Sequence, residues 1–439
     1  MRSLFYSLID NSLSEIERRA PNYLARFPLS LPCADGRADR YRQHPCLEGH
    51  EDSALHDAVN SAVGYLNERG LSPRELQQVD DPASHLLFDA LLDAFAAAEG
   101  MLPIQCSPAS GRTTEEIVSQ DYDQRQTPGG RRYVIGRFGE QPLVIVNALG
   151  IPLGIWNKLL GDVSHGFRII SVENRCADLL SGGMNSAAGL TQHADDIAEV
   201  LEHESVDSFH LLGWCNGGRI AIHLAGRGSH SVRSLTLLSP TLRGAQETSQ
   251  PGSLFEDRLE QIFTTVKKTP ALATPLVKMI SRFTQPPDWD GLAADPAGRA
   301  KALFALPAQE TAAAFLLPMS TPPFLLNYAH RTALDEAYPM DAALRTLAAT
   351  GLPVFLITGS HDTMVSNETT CAVLRNAGVQ LIHAEVSGAG HYIQDLQYLY
   401  FLWLLKSFSE QRTVSGNSLR VRVQYAGNTA SLQPIHATS

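Results

Sequence analysis

Leu211-Leu212-Gly213-Trp214-Cys215-Asn216-Gly217-Gly218-Arg219-Ile220-Ala221 is an apolar run that enters a turn of small residues and leaves at once in a helical pattern. A strand, a tight turn and a helix in that order hold the central side chain at the tip of the strand. Glycines on both sides allow the close backbone approach that the turn requires. The N-terminus of the following helix turns backbone N–H groups toward the same point, which suits an anion. Cys215 is therefore the candidate nucleophile. A buried structural cysteine between glycines is the competing reading of this stretch taken alone.

Two features further along the chain favour chemistry. Val354 to Thr358 reads as a strand leading into Gly359-Ser360-His361-Asp362, and a later strand-like run ends at Gly388-Ala389-Gly390-His391. Nucleophile, acid and histidine, each just after a strand, follow the chain order of the α/β-hydrolase triad. His391 is the expected base, and Asp362 the residue that orients it and supports its charged form. His361 is a rival base, but its adjacency to Asp362 in a tight turn points it elsewhere. Acyl chemistry also needs donors for a tetrahedral oxyanion. The backbone N–H of Asn216 is one, and the loop Asn147-Ala148-Leu149-Gly150 supplies the other, with Leu149 N–H the best placed. Asn147 stands where many such enzymes carry histidine.

Other polar residues carry less. Glu173 and Asn174 follow a strand and read as solvated loop or pocket lining. Trp214 either floors the acyl pocket or packs under the helix. His193, His203 and His223 lie on helices without metal-ligand spacing, so no metal site is expected.

Leu143–Val146, Arg168–Val172, Phe209–Leu212, Val232–Leu238 and Val354–Ile357 read as strands buried on both faces, with amphipathic helices such as Thr191–Glu204 between them. This alternation predicts an α/β fold with a mainly parallel, doubly wound sheet. The expected organisation is a helical N-terminal region over 1–104, with helices at Ala54–Glu68 and Leu86–Ala98, and a linker or loop over 105–130. An α/β-hydrolase domain follows over 131–410. A helical insertion at 241–350, containing Leu254–Lys268 and Ala300–Leu317, interrupts it as a lid. A helix over Tyr392–Glu410 closes the domain, and the tail 411–439 carries one alternating stretch, Leu419–Tyr425.

Apolar residues make up 44% and charged residues 18%, the balance of a folded globular chain. A formal charge of -11, with no basic block longer than a pair, argues against nucleic acid as a partner. Six cysteines at 33, 46, 106, 176, 215 and 371 are irregularly spaced with no C-x-x-C pair, which suits reduced thiols in a cytoplasm. The brief apolar start Leu4–Ile9 ends at Asp10 and does not read as a signal peptide. No apolar run reaches the ~20 residues of a membrane span.

Sulfur in place of oxygen changes the expected reaction. An acyl-cysteine is a thioester of nearly the same energy as another thioester, so exchange between thiols through Cys215 is close to thermoneutral. The elbow Gly213–Gly218, the loop Asn147–Gly150, Asp362, His391, the helical N-terminal extension and the length together resemble the thioesterase-like cysteine aminoacyltransferases of nonribosomal peptide biosynthesis, of the syringomycin and coronamic acid pathway type. The resemblance covers roughly 133–410. It implies an enzyme that accepts an aminoacyl group from the phosphopantetheine thiol of one carrier (thiolation) domain onto Cys215 and delivers it to another, with the 241–350 insertion over the pantetheine channel. It further implies that no cofactor is permanently bound, the phosphopantetheine arriving on the partner. Three other readings stay open: a thioesterase or other cysteine-dependent hydrolase, acyl transfer to a small molecule (the 147–150 loop is also similar to that of homoserine acetyltransferases), and a non-catalytic binding module of the same fold.

Overall fold

The computed structural model describes residues 112–162, 165–173, 189–228, 231–242, 252–282, 288–292, 294–295, 309–386, 389–396, 398–410 and 421–426. It also describes shorter pieces at 13–14, 16–20, 22–26, 30–32, 64, 67–68, 74–76, 299 and 302–303. The chain forms two compact units, one of 1–108, 284–310 and 416–421, the other of 109–283, 311–415 and 422–439. In the first, Ser30–Pro32 pairs in parallel with Arg74–Leu76. Tyr23 meets Trp289 edge to face there at 5.2 Å between ring centroids, and Arg26 pairs with Asp290.

The second unit is built on a sheet whose strands are β1 (Tyr122–Gln126), β2 (Arg132–Gly136), β3 (Gln141–Val146), β4 (Phe167–Val172), β5 (Ser208–Trp214), β6 (Ser231–Leu238), β7 (Val354–Gly359), β8 (Leu381–Val386) and β9 (Val421–Ala426). Their spatial order is β9-β8-β7-β6-β5-β3-β4-β2-β1. Every pair from β4 through β3, β5, β6 and β7 to β8 is parallel, while β2 runs antiparallel to both β4 and β1. The apolar runs explain the centre. All six residues of β7 are buried, as are the last four of β3 and the last five of β6, because parallel strands have helices on both faces.

On one face, helices α2 (Leu190–His203), α3 (Gly217–Gly226), α7 (Met340–Thr350) and α8 (Asn367–Asn376) close a single core. In it Ile197, Ala221, Leu344 and Leu374 meet Val144, Leu211, Leu235 and Leu356 of the strands. On the other face lies α9 (Tyr398–Ser409), with Phe408 stacked on Phe355 at 4.6 Å and Phe401 against Trp156 at 6.0 Å. The mainly parallel α/β architecture expected from the strand rhythm is the one found.

Three boundaries differ from expectation. The supposed linker 105–130 is, over 114–126, helix α1 (Thr114–Asp121) followed by edge strand β1. Thr113 and Glu116 form a reciprocal capping box at the helix start, and burial of Ile117, Val118 and Tyr122 anchors both elements. The α/β domain therefore begins ahead of residue 131. Secondly, the insertion ends sooner than 350, because α7 buries Met340, Ala343, Leu344 and Leu347 in the main core and packs on α3. Thirdly, the tail carries strand β9, at the far edge of the sheet from β1. The helices expected at Ala54–Glu68 and Leu86–Ala98 lie largely outside the described residues, as does much of Ala300–Leu317, of which Gln309–Leu316 is helical.

The inserted segment keeps its helices α4 (Leu254–Lys268), α5 (Ala273–Ile280) and α6 (Pro322–Glu336). Ser253 caps α4 through a second capping box with Glu256, and its hydroxyl also donates to Met364 O at 2.7 Å. That bond ties the insertion to the loop after β7. Phe263 of α4 meets Tyr328 of α6 edge to face at 5.4 Å.

Candidate active site

Cys215 sits between the end of β5 and the start of α3 with φ at +53°, a left-handed conformation that costs a non-glycine residue about 1–3 kcal/mol. The neighbouring glycines explain how the turn tolerates it. A Cβ on Gly217 would lie 2.4 Å from the Val146 carbonyl oxygen, and one on Gly213 would lie 2.8 Å from both Ala221 Cβ and Gly218 Cα. The turn is further pinned by Cys215 N–H donating to Leu238 O at 3.1 Å, and by Gly218 N–H and Thr241 N–H donating to Cys215 O. The thiol is half-buried and free.

The three triad candidates, distant in sequence, meet here. His391 Nδ1 donates to Asp362 Oδ2 at 2.9 Å, with the two side chains 2% and 0% exposed. The other Asp362 oxygen accepts from Met364 N–H at 2.8 Å and Val365 N–H at 3.0 Å, which fixes the carboxylate against rotation. Gly359 lets the acid loop approach, since a Cβ there would sit 2.3 Å from Ala389 O. Burial opposes a charge on His391, but the Asp362 carboxylate, and after it Cys215, raise the imidazole to about 10. Its Nε2 is buried without a fully formed hydrogen bond and has the Cys215 sulfur as its interacting neighbour. The environment thus favours an imidazolium beside the sulfur.

His361 does not enter this arrangement. Its backbone N–H donates to Ala389 O at 2.8 Å, and its Nδ1 lies 3.5 Å from Ser360 Oγ. Trp214 packs against the His391 ring at 5.5 Å, lies 6.1 Å from Trp156, and is absent from the pocket lining. Glu173 pairs with Arg132, and Asn174 lies outside the described residues.

Of the two backbone groups expected as oxyanion donors, one is engaged in a way the sequence did not suggest. Leu149 N–H points at the elbow, but it donates to Asn216 Oδ1 at 2.7 Å. Asn147 shapes that loop: its Nδ2 donates to Ile151 O and Pro152 O, and its Oδ1 accepts from Ala148 N–H and Trp156 Nε1.

A pocket of ≈ 90 Å³ opens at Cys215 and His391, walled by Phe255, Leu259 and Phe263 of α4, Tyr328 of α6, and Phe315. Glu256, Glu260, Asp335 and Glu336 also line it, with Arg219. Burial raises Asp335 to about 6 against the opposing charges of Arg219 and Arg331. These wall residues were not singled out from the sequence. The capping box Ser253-x-x-Glu256 ahead of an apolar helix face is the signal that marks α4. Among the described residues no group of His, Cys, Asp and Glu could hold a metal ion, and no helix is long and apolar enough to cross a membrane.

The model of the alpha/beta hydrolase fold family matches residues 141–398, more than half of the chain. The chain belongs to the alpha/beta hydrolase fold family. N-formylmaleamate deformylase of Pseudomonas putida is 29% identical over 121 residues, 27% of this chain and 45% of that protein. The dihydrolipoyllysine-residue acetyltransferase component of the acetoin cleaving system of Pseudomonas putida is 24% identical over 223 residues, 48% of this chain and 59% of that protein. The crystal structure of bromoperoxidase from Bacillus anthracis aligns with 66% of this chain and 100% of its own, with a TM-score of 0.49 and 14% identity. The chain spans about half the length of the curated relatives it matches. All three positions of the triad order, Cys215, Asp362 and His391, fall within the matched range.

Proposed function

We propose that this alpha/beta hydrolase family member is a cysteine-dependent acyltransferase that carries an aminoacyl group as a thioester on Cys215, between the phosphopantetheine thiols of two carrier domains. The observation that carries the reading is the buried His391–Asp362 pair at 2.9 Å set against a cysteine held at the elbow with φ +53°. The Cys215 sulfur attacks the acyl carbon of the incoming thioester, forming the new S–C bond while the carbonyl oxygen becomes an oxyanion. The backbone N–H groups of Asn216 and Leu149 receive that charge. Collapse breaks the bond to the pantetheine sulfur, which leaves with a proton from His391. The second carrier's thiol gives its proton back to His391 and reverses the sequence.

Two features support the finer reading. Thioester-to-thioester exchange is near thermoneutral, as a shuttle requires. The pocket wall carries four carboxylates against one guanidinium, which suits an acyl group bearing an amine. Nonribosomal peptide assembly in the cytoplasm is the setting in which such carriers operate. Hydrolysis of an acyl thioester or ester is the second reading, favoured by the deformylase among the relatives.

Incubation with an aminoacyl-loaded carrier domain, followed by intact-protein mass spectrometry, separates them. An adduct on the wild type that is absent from Cys215→Ala and passes to a second carrier is the expected result. Prompt release of free amino acid with no adduct on the second carrier would establish the hydrolase instead.

A further inference from the structure

We infer that the Asn216 side chain is a retractable plug of the oxyanion hole, an internal stand-in for the acyl oxygen that keeps the hole closed until a tetrahedral oxyanion displaces it. The placement of one side-chain oxygen leads there. Asn216 precedes α3 with helical backbone angles, φ -69° and ψ -16°, so its side chain makes no capping bond to its own helix. Its Oδ1 instead reaches the Leu149 N–H at 2.7 Å, 67 residues away in sequence, although that donor lies in the loop that supplies the second oxyanion N–H. The loop cannot easily turn the donor elsewhere, because the four Asn147 bonds and the press of Gly217 against Val146 O and Asn147 O hold it to the elbow.

The competition has a direction. A neutral thioester carbonyl and the neutral Asn216 amide oxygen are acceptors of similar strength, so a resting thioester gains little by displacing the amide. A charged oxyanion makes hydrogen bonds roughly twice as strong and wins. The plug therefore leaves the acyl-cysteine ground state outside the hole and admits the transition state. An acyl-enzyme waiting for its acceptor is then a poor target for water. This deepens the proposed shuttle and rests on it: Asn216 is a positioning residue that lengthens the life of the acyl-cysteine against attack by water and by thiol alike.

The test uses the whole chain and three probes: an acetyl thioester of pantetheine, acetaldehyde, whose thiohemiacetal places an alkoxide in the hole, and iodoacetamide, whose alkylation of Cys215 does not use the hole. Asn216→Ala keeps the backbone N–H. It is expected to shorten the acetyl-enzyme lifetime and tighten acetaldehyde inhibition by about two- to tenfold, the worth of one neutral hydrogen bond. Iodoacetamide should react at the wild-type rate. Asn216→Asp, a stronger acceptor for Leu149 N–H, should move acetaldehyde binding the opposite way, a split that general damage to the site would not produce. An unchanged or longer lifetime in Asn216→Ala, or weaker acetaldehyde binding, overturns the plug. So does a crystal structure of the acetaldehyde adduct with Asn216 Oδ1 still on Leu149 N–H. Should an aminoacyl-loaded carrier domain leave no adduct on the wild type, the shuttle fails, and the acetaldehyde arm and adduct structure still decide the plug.

Discussion

Two cysteine–histidine pairs lie in the same unit, and only one has the surroundings of a nucleophile. Cys215 faces His391, whose far nitrogen meets the Asp362 carboxylate at 2.9 Å. Cys371 of α8 lies 3.5 Å from His383 Nδ1 of β8, whose far nitrogen meets the Thr358 hydroxyl at 2.8 Å. The third partner makes the difference. A buried carboxylate and the sulfur together raise His391 to about 10 against its burial. Without a carboxylate, burial and then Arg375 lower His383 to about 4, and burial raises the Cys371 thiol to about 11. The second pair is a neutral contact inside the core cluster, whereas Cys215 opens on the pocket. Proximity of sulfur and imidazole does not suffice; a charged orienting group and an exposed turn are also needed.

The comparison breaks most sharply at the sulfurs. Cys215→Ala should abolish acyl adducts and turnover, while Cys371→Ala should leave kcat with an activated thioester within about twofold, since surface-remote core changes act on stability. Equal losses in both variants would end the distinction. Exchanging the third partners comes next. Asp362→Asn should lower kcat by on the order of 10³–10⁴, the scale seen when a triad carboxylate is neutralised. The His391 imidazole, followed by NMR, should then titrate well below its wild-type midpoint of about 10. Thr358→Val should instead leave kcat in place and cost about 1–3 kcal/mol in denaturant unfolding, because a buried His383 nitrogen loses its partner.

A further contrast is in the pH dependence of stability, where the two pairs act with opposite sign. His391 is raised in the folded state, so its contribution is fully present below the unfolded value near 6.5 and is lost as pH rises toward 10. His383, and likewise His165, is lowered to about 4, so stability is lost as pH falls from about 6.5 toward 4. Melting temperatures from pH 4 to 10 should fall on both sides. Asp362→Asn should flatten mainly the alkaline limb.

Much of this was legible in residues alone. The double-faced strands β3 and β7 announce themselves because burial on both sides demands unbroken apolar runs. The elbow is readable because the turn leaves no room for a Cβ at Gly213 or Gly217, two positions to either side of Cys215. Asp362 is separated from His361 by chain order and turn geometry. Edge strand β1 escaped because Gln124, Arg125 and Gln126 are exposed, leaving a composition that also suits a loop. Helix α7 escaped because its apolar stripe fits a lid or a sheet face equally well, and only its packing on α3 separates them.

The sequence by itself determined the layered α/β architecture, the setting of the candidate nucleophile and the choice of Asp362 and His391 as its candidate partners, since each depends on local pattern and chain order. The tertiary structure alone decided which cysteine–histidine pair has a carboxylate on its imidazole, which aromatic residues wall the pocket, and that Asn216 rather than solvent meets the Leu149 N–H. Each of these depends on distances and burial between segments far apart in the chain, which no local pattern encodes.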